Sequence, residues 1–137
     1  MKKQILFLLV LVFLLNFFWE IAHMPLYEKP NYLSNTEFSI IHIKASFIDL
    51  FFICLIFITL YIKNRNKKWL NKPSKLDYFI IIISGLIISY IVEHQALLQN
   101  KWSYTPLMPL ILGVGLTPLI QLSSIAIFSL WLITRHN

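Results

Sequence analysis

Charge is scarce in this chain, and cysteine and glycine are almost missing. Of 137 residues only 13% are charged, with one cysteine, three glycines and six prolines. The single Cys54 excludes an intrachain disulfide and a C-x-x-C redox pair. Set in an apolar run, it reads as a small buried hydrophobe. So little glycine and proline excludes a collagen-like fibre, and so little charge excludes intrinsic disorder. There is no N-x-[ST] sequon, no A-x-A cleavage site and no G-x-S-x-G elbow for a serine nucleophile. Soluble domains carry about 25% charged and about 45–50% apolar residues. Here 58% are hydrophobic and mean hydropathy is +0.70, which half the usual charge cannot coat for water. The composition is that of a membrane protein. The net charge of +6 would suggest nucleic acid in a soluble chain. Here membrane topology accounts for it, and no nucleic-acid partner is expected.

What is present is four long apolar runs. A span needs about 20 mostly apolar residues, and four segments qualify, roughly 4–23, 40–62, 77–95 and 110–133. The first follows Lys2 and Lys3 and reads as a retained signal anchor. Lys2, Lys3, Lys63, Arg65, Lys67, Lys68, Lys72, Lys75 and Arg135 fall on one side of a four-span topology, against Lys29, Lys44 and Lys101 on or near the other. By the positive-inside rule both termini and the loop 63–76 are cytoplasmic, in the cell (inner) membrane. Ser34-Asn35-Thr36-Glu37 and Ser74-Lys75-Leu76-Asp77 have capping-box spacing, so the second helix is expected to start near residue 35 and project above the bilayer. Trp19, Tyr27, Tyr61, Trp69, Trp102 and Tyr104 suit an aromatic belt at the interfaces. Pro106, Pro109, Gly113, Gly115 and Pro118 break the outer end of the fourth span, leaving regular helix over about 118–133. The fold class is therefore an all-α integral membrane protein, one domain over 1–137, built as a four-helix transmembrane bundle with N-in/C-in topology.

Ionisable groups at membrane depth are costly and face the bundle interior. Asn16, Glu20 and His23 are spaced four and three, one face of the first helix. His42, Ser46 and Asp49 repeat that spacing on the antiparallel second helix. Both stripes descend about 10 Å over seven residues, which puts His23 and His42 near the surface and Asn16 and Asp49 deepest. The third span adds Ser89 and Glu93 with His94, and neighbours on a helix point about 100° apart, so only one of Glu93 and His94 faces a pocket. Gly113, Thr117, Gln121 and Ser124 form a stripe on the fourth. Interhelical hydrogen bonding accounts for Asn16 and the serines, and Lys44 either snorkels or pairs with Glu20. It does not account for Glu20, Asp49 and Glu93, because an amide would bind helices at lower cost.

A histidine beside a partly desolvated carboxylate is acid–base material, and Glu20, His23, His42, Asp49 and Glu93 are the candidate catalytic residues. Glu20-Ile-Ala-His23 has the E-x-x-H spacing that serves one ion from one helix face. A divalent metal held by Glu20, His23 and His42 is the candidate cofactor. Asp49 lies too far along the helix from His42 to share that ion. The only two aspartates, Asp49 and Asp77, fall in opposite halves and cannot form a dyad. Trp102 and Tyr104, which also suit interface anchoring, join Gln121 as candidate substrate contacts. The leading expectation is a membrane-embedded enzyme acting at the extracytoplasmic face on a lipid or isoprenoid-like substrate. The alternatives are a small proton-coupled transporter acting as a homo-oligomer, and a non-catalytic subunit bound to a membrane protein partner.

Overall fold

A computed structural model of the chain describes residues 2–135. Four helices dominate it: α1 (Lys2–His23), α2 (Asn35–Asn64), α3 (Lys75–Leu98) and α4 (Leu116–Arg135). All four are long and apolar enough to cross a membrane, and the chain is a multi-pass membrane protein. Apolar runs become helices here because hydrocarbon offers backbone groups no partner, and a helix satisfies them within the segment.

Helix ends follow the side chains at hand. Ser34 accepts the Glu37 N–H at 3.2 Å, while Glu37 Oε2 accepts the Ser34 N–H at 2.8 Å. Ser74 and Asp77 repeat the exchange at 3.2 and 2.7 Å. Each box satisfies two of the free donors of a first turn. Its 30 residues make α2 about 45 Å long, more than the about 30 Å of hydrocarbon. Arg65, left-handed at φ 50°, ends α2 by donating its N–H to Tyr61 O.

The helices form an open ring. α1 packs on α2 and on α4, and α3 packs on α4, whereas α2 and α3 touch only sparsely. Interior character changes along the bundle axis. Toward the 65–74 end the core is apolar, built from Leu8, Val12, Ile53, Leu60, Ile81 and Leu130. Toward the other end the buried residues are polar: Asn16, Glu20, His23, His42, Glu93 and Gln121. Large apolar side chains such as Phe18, Phe47, Phe51 and Ile62 point outward, as lipid-facing positions do. Lys63 and Asn64 of α2 both donate to Asp77 Oδ1, at 2.7 and 2.9 Å, which pins the α2–α3 turn at the apolar end.

Three expectations are corrected. The fourth helix begins at Leu116, not at 110 but close to the expected start of regular helix near 118, and runs unbroken. Pro118 is its third residue, where the missing N–H has no helical acceptor to lose. Residues 110–115 are instead a β-hairpin, β1 (Leu110–Ile111) paired with β2 (Val114–Gly115), so Gly113 sits in a turn and not on the α4 stripe. Leu112 and Gly113 take φ values of 52° and 80°, the positive pair that a two-residue hairpin turn of this hand requires. Finally, Tyr27 and Trp69 are not belt residues. Both are buried, Trp69 closing the apolar end against Phe57 and Tyr27 packing into the polar end.

Candidate functional site

The polar end is organised around two carboxylates from opposite sides of the ring. Glu20 is the first. Its Oε2 lies 2.9 Å from His42 Nδ1 and 3.1 Å from His23 Nε2, so two imidazoles converge on one oxygen. His23 reaches it by the i,i+3 spacing on α1, and His42 arrives from the antiparallel α2 at similar depth. Glu20 Oε1 accepts from Gln121 Nε2 of α4 at 3.0 Å. That same amide nitrogen lies 3.2 Å from Asn16 Oδ1 and 2.7 Å from Asp49 Oδ2. An amide nitrogen carries two hydrogens and faces three oxygens here. Gln121 is thus the hub that joins α1, α2 and α4, and Asp49 reaches Glu20 through it. On the far side, His23 Nδ1 lies 3.3 Å from Thr117 Oγ1.

Glu93 of α3 is the second. Its Oε2 accepts from Trp102 Nε1 at 3.2 Å and from the Tyr104 hydroxyl, and the Tyr27 hydroxyl reaches its Oε1 at 3.5 Å. The loops supply these donors because they pair with each other. Glu28 N donates to Ser103 O and Thr105 N to Leu26 O, both at 2.9 Å, making a short antiparallel bridge between Tyr27 and Tyr104. Burial, with the Glu93 carboxylate alongside, pushes both phenols above the usual tyrosine range, so they remain donors. The Tyr27 ring meets His23 and His42 edge-on at 5.2 and 5.4 Å, linking the two carboxylate groups. Glu93 faces the interior, while His94 is exposed and stacks on Tyr90 at 5.5 Å.

Between the two carboxylates lies a cavity of about 280 Å³. Glu20, His42, Asp49, Glu93 and Gln121 line its inner part, and Ile41, Ala45, Ile48, Phe52 and Val92 line its apolar wall. It occupies the gap where α2 and α3 barely touch. Ile41 and Ile48, 44% and 53% exposed, carry its lining out to the surface of α2, and Pro30, Leu33 and Trp102 carry it up to the loops at the polar end. Lys44, Lys101 and Glu28 stand at its mouth. The Ser89 hydroxyl, buried on the α3 wall, has no protein partner among the described residues.

Several candidate residues take roles other than those their spacing suggested. Trp102 and Tyr104 hold Glu93, and only Trp102 also lines the cavity. Glu20 pairs with histidines and not with Lys44, which stays exposed at the mouth. Ser46 does not bridge helices: its hydroxyl bonds to His42 O one turn back. Tyr27, expected in the aromatic belt, instead lines the site, because an aromatic residue near a span end has the same sequence signature whether it faces lipid or plugs the bundle. Glu20, His23 and His42 offer ligand atoms all within 4.8 Å of one another, a spacing one metal ion could serve, whereas Asp49 and Glu93 stand outside that group. Comparison with protein-family models, with curated proteins and with solved structures returns no match.

Proposed function

We propose that the protein is a membrane-embedded enzyme that acts on a lipid-like substrate entering sideways between α2 and α3. The observation that carries this reading is the cavity itself: an apolar wall whose lining reaches the surface of α2, ending on Glu20–His42 at one side and Glu93 at the other. An amphiphile fits that division. Its chain lies along Ile41, Ala45, Ile48 and Phe52, its polar group sits among the carboxylates, and the mouth cations Lys44 and Lys101 favour an acidic headgroup. Helix association alone does not call for two buried carboxylates and a buried imidazole facing empty volume. The unpartnered Ser89 hydroxyl adds a donor that a bound polar group would satisfy.

In this reading the Glu20–His42 pair exchanges protons with the substrate, oriented by Gln121 and Tyr27, and Glu93 supplies a second acid–base group across the cavity. The nine of twelve lysines and arginines at the termini and in the loop 63–76 support a topology with both termini in the cytoplasm, and on that topology the site works from the extracytoplasmic leaflet of the cell membrane.

The test is chemical. Lipid extracts from cells making the wild type are compared by mass spectrometry with extracts from cells making His42→Ala or Glu93→Gln. Purified protein is then reconstituted with any lipid that differs. A lipid species consumed by the wild type and spared by both variants is the expected result. Identical extracts, with proton-driven flux in proteoliposomes or stoichiometric retention of another membrane protein, would replace the enzyme with a transporter or a subunit.

A further inference from the structure

We propose that Glu20, His23 and His42 bind one divalent transition-metal ion, with its remaining coordination positions facing the cavity. The inference deepens the enzyme reading, on which its catalytic meaning rests, but the argument for the ion is geometric. Ligands around a tetrahedral ion with bonds of about 2.0–2.1 Å are separated by about 3.3 Å. Two edges of the triangle are 2.9 and 3.1 Å, and the third is at most 4.8 Å, a distance that rotation of an imidazole about χ2 shortens.

Three further observations point the same way. His23 Nε2 is buried and faces Glu20 Oε2 at 3.1 Å, with no second protein partner among the described residues. A ring nitrogen and a carboxylate oxygen that close must share either a proton or a cation. The opposite ring nitrogen, Nδ1, faces Thr117 Oγ1 at 3.3 Å, an arrangement that leaves Nε2 as the ligand. Glu20 is supported in the same manner, since Oε1 is occupied by Gln121 while Oε2 is presented to both histidines. Glu20 and His42 line the cavity, whereas His23 lies behind them, so an ion held by the three would be open on the cavity side.

Donor chemistry selects the metal class. Two imidazoles and one carboxylate match catalytic zinc sites and the two-histidine, one-carboxylate iron(II) triad. They do not match magnesium or calcium, which take oxygen ligands. A thiolate site is ruled out because Cys54 lies some 18 Å along α2 from His42. Charge favours binding as well: a divalent ion offsets the buried Glu20 carboxylate, and among the described residues no buried Lys or Arg does so.

The experiment uses the full-length protein, free of any histidine tag, in mild detergent. It is stripped with chelator and titrated with Co²⁺ and then Zn²⁺, following visible absorption and bound metal by mass spectrometry. The expected result is one Co²⁺ per chain with ligand-field bands that Zn²⁺ abolishes. His23→Gln and His42→Gln should each lose the bands. Thr117→Val, which removes the hydroxyl that faces the far nitrogen of His23 and donates to Met108 Sδ, should weaken Zn²⁺ about 10-fold, and Glu93→Gln should bind as the wild type does. Folded wild type that takes up neither ion, or histidine variants that bind both unchanged, overturns the proposal. The wild-type titration decides even if a variant fails to fold. Lipid turnover in metal-free protein, abolished by His42→Ala, would sink the metal and keep the enzyme. Metal binding without lipid turnover would do the reverse.

Discussion

At Gly85 α3 lies tight against Ser123 of α4, and adding a single methyl group there tests the packing that shapes the ring. A Cβ at Gly85 would lie 2.3 Å from Ser123 Oγ, 2.8 Å from Ser123 N and 3.0 Å from Ser123 Cα. Unstrained contacts between such atoms need about 3.5–4.0 Å. The hydroxyl could rotate away only by giving up its 3.0 Å hydrogen bond to Ile82 O, and the backbone atoms cannot move unless the helices part. Overpacking costs about 1–3 kcal/mol, and a clash with backbone atoms belongs in the upper part of that range, about 2–3 kcal/mol. Alanine regains about 1 kcal/mol of helix propensity over glycine, which leaves Gly85→Ala destabilised by about 1–2 kcal/mol. Unfolding in mixed micelles by increasing SDS, followed by circular dichroism, measures the difference. Adding Ser123→Ala to Gly85→Ala removes the shortest contact but not the two backbone ones, so rescue should be partial. A Gly85→Ala protein as stable as the wild type, or a double variant fully restored, would refute the close approach.

Four further outcomes are expected. Glu93→Leu strands the Trp102 and Tyr104 donors and should cost about 1–3 kcal/mol for each group left unsatisfied, with Glu93→Gln milder, in the same unfolding assay. Asp77→Ala removes the acceptor shared by Lys63, Asn64 and Ser74 and should lower stability by about 1–3 kcal/mol, read from the same SDS midpoint. The raised Tyr27 and Tyr104 phenols ionise only after unfolding, so the unfolded chain binds fewer protons at high pH. Stability should then fall as pH passes about 10 and fall less in Tyr27→Phe and Tyr104→Phe, measured by thermal melts across pH. In a Cys54→Ser background, Lys72→Cys should resist and Lys29→Cys should react with an impermeant maleimide on intact cells, and the opposite pattern would invert the topology.

Much of the frame was legible because its causes are local. Both capping boxes can be seen as Ser-x-x-acid spacings, and both form. The stripes Asn16–Glu20–His23 and His42–Ser46–Asp49 follow from helical periodicity, and they meet because α1 and α2 are antiparallel neighbours at matching depth. The proline- and glycine-rich stretch 106–118 misled for an equally local reason. Glycine and proline report that a regular helix is interrupted, but they do not say whether the chain kinks, turns or, as here, pairs with itself in a hairpin.

Aromatic residues near span ends were the least legible. Tyr27, Trp69, Trp102 and Tyr104 carry the same amphipathic signature whether they face headgroups or plug the bundle, and only the paired loops 26–28 and 103–105 turn three of them onto Glu93. The amino-acid order alone thus determined four helices, the capped starts of α2 and α3 and which polar groups share a face, because each depends on spacing within one segment. Tertiary structure decided which faces meet, that Glu93 and not His94 turns inward, and that α2 and α3 stand apart. Those outcomes depend on the rotation and neighbour order of helices, which contacts such as Gly85 against Ser123 and Gln121 with Glu20 set between segments far apart in the chain.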